Sequence, residues 1–179
     1  MKILRLLTAL SVTAATVLGT ATIASAAAPS QDSERIITHP FYIRNAHSNK
    51  CLEIADGSQA NGARAQQWSC NKQETSKWVS ANWGDGLNYQ IQNLNSGKCL
   101  EVENSSKANG ARVQQWTCTR VGGQMWRSID AGDGTDVLYN AHSGKYLEIS
   151  NSSKANGARA QLWEGVGQGG AYFTFLSAR

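Results

Sequence analysis

Apolar residues come in short runs along this chain, and each run is cut off by Gly, Asn, Ser or Asp. Tyr42-Ile43-Arg44, Cys51-Leu52-Glu53-Ile54, Ala65-Gln66-Gln67-Trp68 and Lys77-Trp78-Val79-Ser80 form one set. The set recurs as Tyr89 to Gln92, Cys99 to Val102, Val113 to Trp116 and Met125 to Ile129. It recurs again as Val137 to Tyr139, Tyr146 to Ile149, Ala160 to Trp163 and Tyr172 to Phe175. No segment keeps a helical period, and such short runs between closely spaced turn signals predict an all-β sandwich or barrel.

The recurrence extends to the wording. Lys50-Cys51-Leu52-Glu53-Ile54, Lys98-Cys99-Leu100-Glu101-Val102 and Lys145-Tyr146-Leu147-Glu148-Ile149 are one phrase, with steps of 48 (51 to 99) and 47 (99 to 146) residues. Each leads into Asn-Gly-Ala-Arg (61–64, 109–112, 156–159), then Gln66-Gln67-Trp68, Gln114-Gln115-Trp116 or Gln161-Leu162-Trp163. The Asn-Gly pairs predict turns with positive φ. Repetition at a fixed period constrains architecture more than any single motif. Four strands per unit suits a propeller blade, but propellers have about four or more blades. Three units close instead around a pseudo-threefold axis as a barrel capped by hairpins, a β-trefoil. The repeats run 41–86, 87–134 and 135–179.

Composition adds the compartment. Lys2 and Arg5, an apolar run from Leu6 to Gly19 and Ala24-Ser25-Ala26 predict an export signal at 1–26, with cleavage after Ala28 the variant reading. Residues 27–40 read as a polar, flexible leader before the domain at 41–179. Without Lys2 and Arg5, 15 basic side chains face 13 acidic ones, dispersed over the repeats. This balance predicts neither nucleic-acid nor membrane-surface binding, and no membrane span is expected. Four cysteines in an exported chain point to disulfides. Of three connectivities, the equal separations favour Cys51–Cys70 and Cys99–Cys118, with Tyr146 and Gly165 in the third repeat's slots as a packing substitute. A Cys₄ zinc site lacks the expected Cys-x₂-Cys spacing, so no metal or cofactor is expected.

The Cys-Leu-acid-Ile/Val phrase, the Gly-Ala-Arg-x-Gln-x-Trp phrase, the paired cysteines and Gln124-Met125-Trp126 together resemble the ricin B-type lectins and family 13 carbohydrate-binding modules. The resemblance covers about residues 41 to 179. Its Gln-x-Trp signature is complete only in repeat two; Ser76-Lys77-Trp78 and Ala171-Tyr172-Phe173 replace it elsewhere. The resemblance implies a β-trefoil that binds carbohydrate without catalysis, as a monomer. It also implies Gln124 and Asn71 as further sugar contacts.

Sugars offer C–H faces that stack on aromatic rings and hydroxyls that pair with carboxylates and amides. Each repeat carries such a set: Glu53, Gln66 and Trp68; Glu101, Gln114 and Trp116; Glu148, Gln161 and Trp163. Relatives that bind sugar have Asp at the acid position, so Glu is expected to push the carboxylate outward. Repeat two reads as the most intact and repeat three as the weakest. A structural reading stands beside this one. Alternation that buries Val113 also buries Gln115, and a β-bulge there would turn Trp116 into the core. Trp78, Trp126 and Phe173 read as core, and Arg64, Arg112 and Arg159 as partners of their repeat's acids. His47 and His142 match Asn95, which marks them as turn residues. Asn104-Ser105-Ser106 and Asn151-Ser152-Ser153 fit the glycosylation pattern. The competing function is an exported trefoil that binds a protein, such as a protease, through one loop. Catalysis ranks last, because each repeat has one acid rather than a converging pair.

Overall fold

In the computed structural model, which describes residues 36–178, the apolar runs become a twelve-stranded antiparallel sheet. Repeat one supplies β1 (Ile36–Asn45), β2 (Lys50–Ile54), β3 (Ala65–Ser69) and β4 (Lys77–Asn82). Repeat two supplies β5 (Tyr89–Asn93), β6 (Cys99–Val102), β7 (Val113–Trp116) and β8 (Trp126–Gly132). Repeat three supplies β9 (Thr135–Asn140), β10 (Lys145–Ile149), β11 (Ala160–Trp163) and β12 (Tyr172–Ser177). The predicted export signal and residues 27–35 of the predicted leader lie outside the described residues. β1 itself starts at Ile36 and pairs with β4 at Ile36↔Ala81. Residues 36–40, assigned to the leader by composition, are therefore on the strand.

β1, β4, β5, β8, β9 and β12 pair in that order, and β12 returns to β1, closing a six-stranded barrel. Hairpins β2–β3, β6–β7 and β10–β11 extend from β1, β5 and β9. Bridges Arg64↔Gln114, Arg112↔Gln161 and Gln66↔Arg159 join the hairpins to one another. This is the β-trefoil.

The core is written in matched triplets. Ile43, Ile91 and Leu138, then Leu52, Leu100 and Leu147, then Trp78, Trp126 and Phe173 are all buried. Each such side chain contributes about 1.5–3 kcal/mol through apolar burial. The two indoles also donate to backbone carbonyls, Trp78 Nε1 to Leu52 O at 3.0 Å and Trp126 Nε1 to Leu100 O at 2.9 Å.

Two buried amides tie the repeats together. Gln115 Nε2 donates to Ser58 O (2.7 Å) and Ala60 O (3.0 Å), and its Oε1 accepts from Ser96 Oγ (2.6 Å). Gln67 makes the same bonds to Ser153 O, Ala155 O and Ser48 Oγ. Each therefore reaches into the loop of another repeat. Leu162 holds the third position, fully buried. Disulfides join Cys51 to Cys70 and Cys99 to Cys118, which also disposes of the zinc reading. In the third repeat Tyr146 packs on Tyr139, with ring centroids 5.4 Å apart. It does not fill the space at Gly165, where a Cβ would meet nothing within 4 Å.

Candidate functional site

The hairpin registers bring the predicted residues together. Glu53 lies opposite Gln66, Glu101 opposite Gln114 and Glu148 opposite Gln161. The pairing runs unbroken to Cys51↔Trp68, Cys99↔Trp116 and Tyr146↔Trp163, with no bulge at Gln114-Gln115. Alternation therefore buries Val113 and Gln115 together, and the cost of the amide is met by the bonds described above. Trp116 stays on the outer end of its strand. Trp68 and Trp116 are 38% and 40% exposed, while Trp163 is half-buried.

The acids behave differently from expectation. Glu53, Glu101 and Glu148 are 6%, 5% and 2% exposed, so the longer side chain does not push its carboxylate outward. It folds back against the amide across the hairpin: Gln66 Nε2 to Glu53 Oε1 is 3.0 Å and Gln114 Nε2 to Glu101 Oε1 is 3.2 Å. A second donor holds the other oxygen. In repeat one it is Thr75 Oγ1, at 3.3 Å from Glu53 Oε2; in repeat two it is Gln124 Nε2, at 2.7 Å from Glu101 Oε2. Repeat three has Gly170 and Ala171 there, and among the described residues Gln161 alone donates to Glu148 (3.4 Å). Burial pushes the Glu148 carboxyl above its ordinary range, partly offset by that bond.

Arginine orients the amides from the other side. Arg64 Nη2 donates to Gln66 Oε1 (2.6 Å) and Arg112 Nη2 to Gln114 Oε1 (2.8 Å). Arg112 also meets Glu103 at 2.8 Å, an acid of its own repeat. An amide engaged at both ends has one N–H and one lone pair left for a ligand.

In repeats one and two these groups border open hollows of about 250 Å³ each. The first is lined by Glu53, Gln66 and Trp68, with Asp56, Gly57, Gln73 and Thr75 around the rim. The second is lined by Glu101, Gln114 and Trp116, with Asn104, Ser105, Thr119 and Val121. The Asn-Gly turn of a neighbouring repeat abuts each indole. A Cβ on Gly62 (φ +81°) would lie 3.8 Å from Trp116, and one on Gly157 (φ +80°) 3.8 Å from Trp68.

Two predicted contacts lie outside the lining of the hollows. Gln124 is fully buried, and its Oε1 accepts from Gln90 Nε2 and the Thr119 and Arg120 N–H groups. It positions Glu101 and does not line the hollow. Asn71 is exposed but outside the first hollow, whose rim comes from Gln73 and Thr75. The rim residue Asp56 escaped the sequence reading, and Asn104 was read only as part of a glycosylation pattern. Their signal was the repeat alignment itself, with Asp56, Asn104 and Asn151 all in left-handed backbone (φ 57°, 54° and 56°). Asn45, Asn93 and Asn140 were also missed. Each is buried, and its Nδ2 holds carbonyls of the turn before the fourth strand of a repeat.

A different hollow, of about 320 Å³, is lined only by barrel strands, including Phe41, Ile91, Trp126, Leu138 and Phe175. It has no charged side chain and lacks the repeated acid–amide–indole set. The two hairpin hollows are therefore the candidate site.

Several solved structures have this fold. A designed threefold-symmetric protein, ThreeFoil, is 32% identical over 76% of this chain and 97% of its own, with a TM-score of 0.74. An exo-β-1,3-galactanase from Clostridium thermocellum is 28% identical over 78% of this chain, with a TM-score of 0.75; the match spans only 30% of that enzyme. The Macrolepiota procera ricin B-like lectin, solved with lactose, is 16% identical over 76% of this chain and 93% of its own, with a TM-score of 0.65. No curated protein sequence matches. The sequence profile of the ricin-type beta-trefoil lectin domain-like family matches residues 35–116 and 75–163, which together span most of the barrel and all three hairpins. By sequence and by fold, the chain belongs to that family.

Proposed function

We propose that this protein is an exported, non-catalytic carbohydrate-binding protein whose first two repeats each hold one sugar unit. The single observation that carries the reading is repeated: an exposed indole shares a hollow with a buried carboxylate already fixed by two neutral donors. The indole offers the face for the sugar's C–H groups. The carboxylate's remaining lone pairs accept from hydroxyls, with little reorganisation because its geometry is set beforehand. Family membership supports the lectin-like part, and the paired disulfides support an oxidising destination.

Shallow, half-open hollows imply weak binding at each site, so useful affinity comes from engaging a polymeric glycan at both. The third repeat, with a half-buried indole and a singly held Glu148, contributes least. A glycan array probed with the protein, run beside a protease-inhibition panel, tests the reading. Glycan signal without inhibition is the expected result. Inhibition with no glycan signal would replace the reading with the protein-binding one.

A further inference from the structure

The two hollows share one backbone but not the same lining carboxylates. Asp56 (φ 57°, ψ 19°) and Asn104 (φ 54°, ψ 24°) sit at matching places in the repeats and project from nearly the same conformation. Asp56 lines the first hollow beside Glu53, so two carboxylates face one space. Asn104 lines the second beside Glu101, which is the only acid there. Gln73 lines the first hollow where Val121 stands in the second.

The formal charges of Glu53, Asp56 and Arg64 equal those of Glu101, Glu103 and Arg112; what differs is that Asp56 lines its hollow while Glu103 does not line the second. Lys72 and Arg120 occupy matching positions after the second cysteine, both in left-handed backbone, and neither lines its repeat's hollow. Arg64 and Arg112 both turn to the site's amide. Glu103 answers Arg112 from outside the second hollow, while Ala55 stands at its place in repeat one. Glu74, exposed near the first hollow, is paired with Lys77 at 2.5 Å. Glu53 is held by the neutral donors Gln66 and Thr75, which leave its charge uncancelled.

We infer that the hollow of repeat one selects sugars bearing a protonated amine, whereas that of repeat two takes neutral sugars without such preference. The inference rests on the sugar-binding reading above and assigns the ligand class of one site. An ammonium brings three donors and a full charge where a hydroxyl brings one donor and none. Beside a second, solvent-facing carboxylate this gives a preference of about two- to fivefold, which shrinks as salt screens it.

The test follows the indole N–H resonances of Trp68 and Trp116 by NMR at about pH 6. The ligands are galactose, glucose and mannose, each against its 2-amino form. At Trp68 the amino form of a bound sugar is expected to bind about two- to fivefold more tightly, and at Trp116 equally. Asp56→Asn removes the preference, and Asn104→Asp transfers it to Trp116. Both replacements put into one repeat the residue another already carries in the same conformation, so the fold is kept. Equal binding of both forms at Trp68, or a preference that survives Asp56→Asn, overturns the inference and leaves the sugar reading intact. If neither indole responds to any sugar in either form, the sugar reading fails and the inference fails with it.

Discussion

Glu148 is the residue whose surroundings differ most from those of its counterparts, and the difference is thermodynamic. Burial raises its carboxyl above the ordinary value of 4.5, so the folded chain binds more protons there than the unfolded chain. Stability linked to this group is therefore lost as pH rises from the ordinary value through the raised one. Glu148→Gln should gain stability relative to the parent between about pH 4.5 and 7. Denaturant melts at the two pH values check this, and parallel shifts in both proteins would contradict it. Glu53 and Glu101 each have a second side-chain donor, Thr75 and Gln124, that Glu148 lacks. The sequence made the acids visible but not their posture. Whether Glu projects or folds back depends on donors from another strand and the following turn, and those partners are invisible in a local pattern. Gln124 was legible as a polar residue of the right type, but its burial and its bond to Glu101 were not, because both depend on packing between strands.

At the level of elements, alternation decided most of the outcome. Runs with period two in all three repeats made the strands legible, and the positions of Cys, Trp and Asn-Gly aligned the hairpins. The bulge reading arose because Gln115 had to be buried with no visible partner. That partner lies in the loop of a different repeat, at Ser58 O and Ala60 O, which sequence proximity does not reveal. Once paired, the amide needs no bulge, and Trp116 remains outside. Leu162 shows that an apolar side chain fits the equivalent space. Gln115→Leu should therefore keep the packing yet orphan two carbonyls and Ser96 Oγ, costing about 1–3 kcal/mol. Chemical denaturation measures this, and an unchanged midpoint would show that the clasp carries no net stability.

For the molecule as a whole, threefold repetition separates what the fold requires from what a site adds. The matched triplets of Leu and Ile and the buried Asn residues recur in every repeat and, with the one barrel that the repeats close together, read as scaffold. What varies is chemistry at the hairpins: Asp56 against Asn104, Gln124 against Ala171, and disulfides in two repeats but not the third. Each closed loop of 19 residues' separation adds about 3 kcal/mol in the chain-entropy account and steadies the hairpin bearing Trp68 or Trp116.

The account stands on a pyranose resting against those two indoles beside their fixed carboxylates. Affinity of the Trp68→Ala/Trp116→Ala double variant for a polysaccharide bound by the parent tests it most directly, with circular dichroism to verify the fold. Because both rings are substantially exposed, their removal should leave the barrel folded and cut binding at least about tenfold, roughly 1.4 kcal/mol. A folded double variant that binds as tightly as the parent would contradict the account.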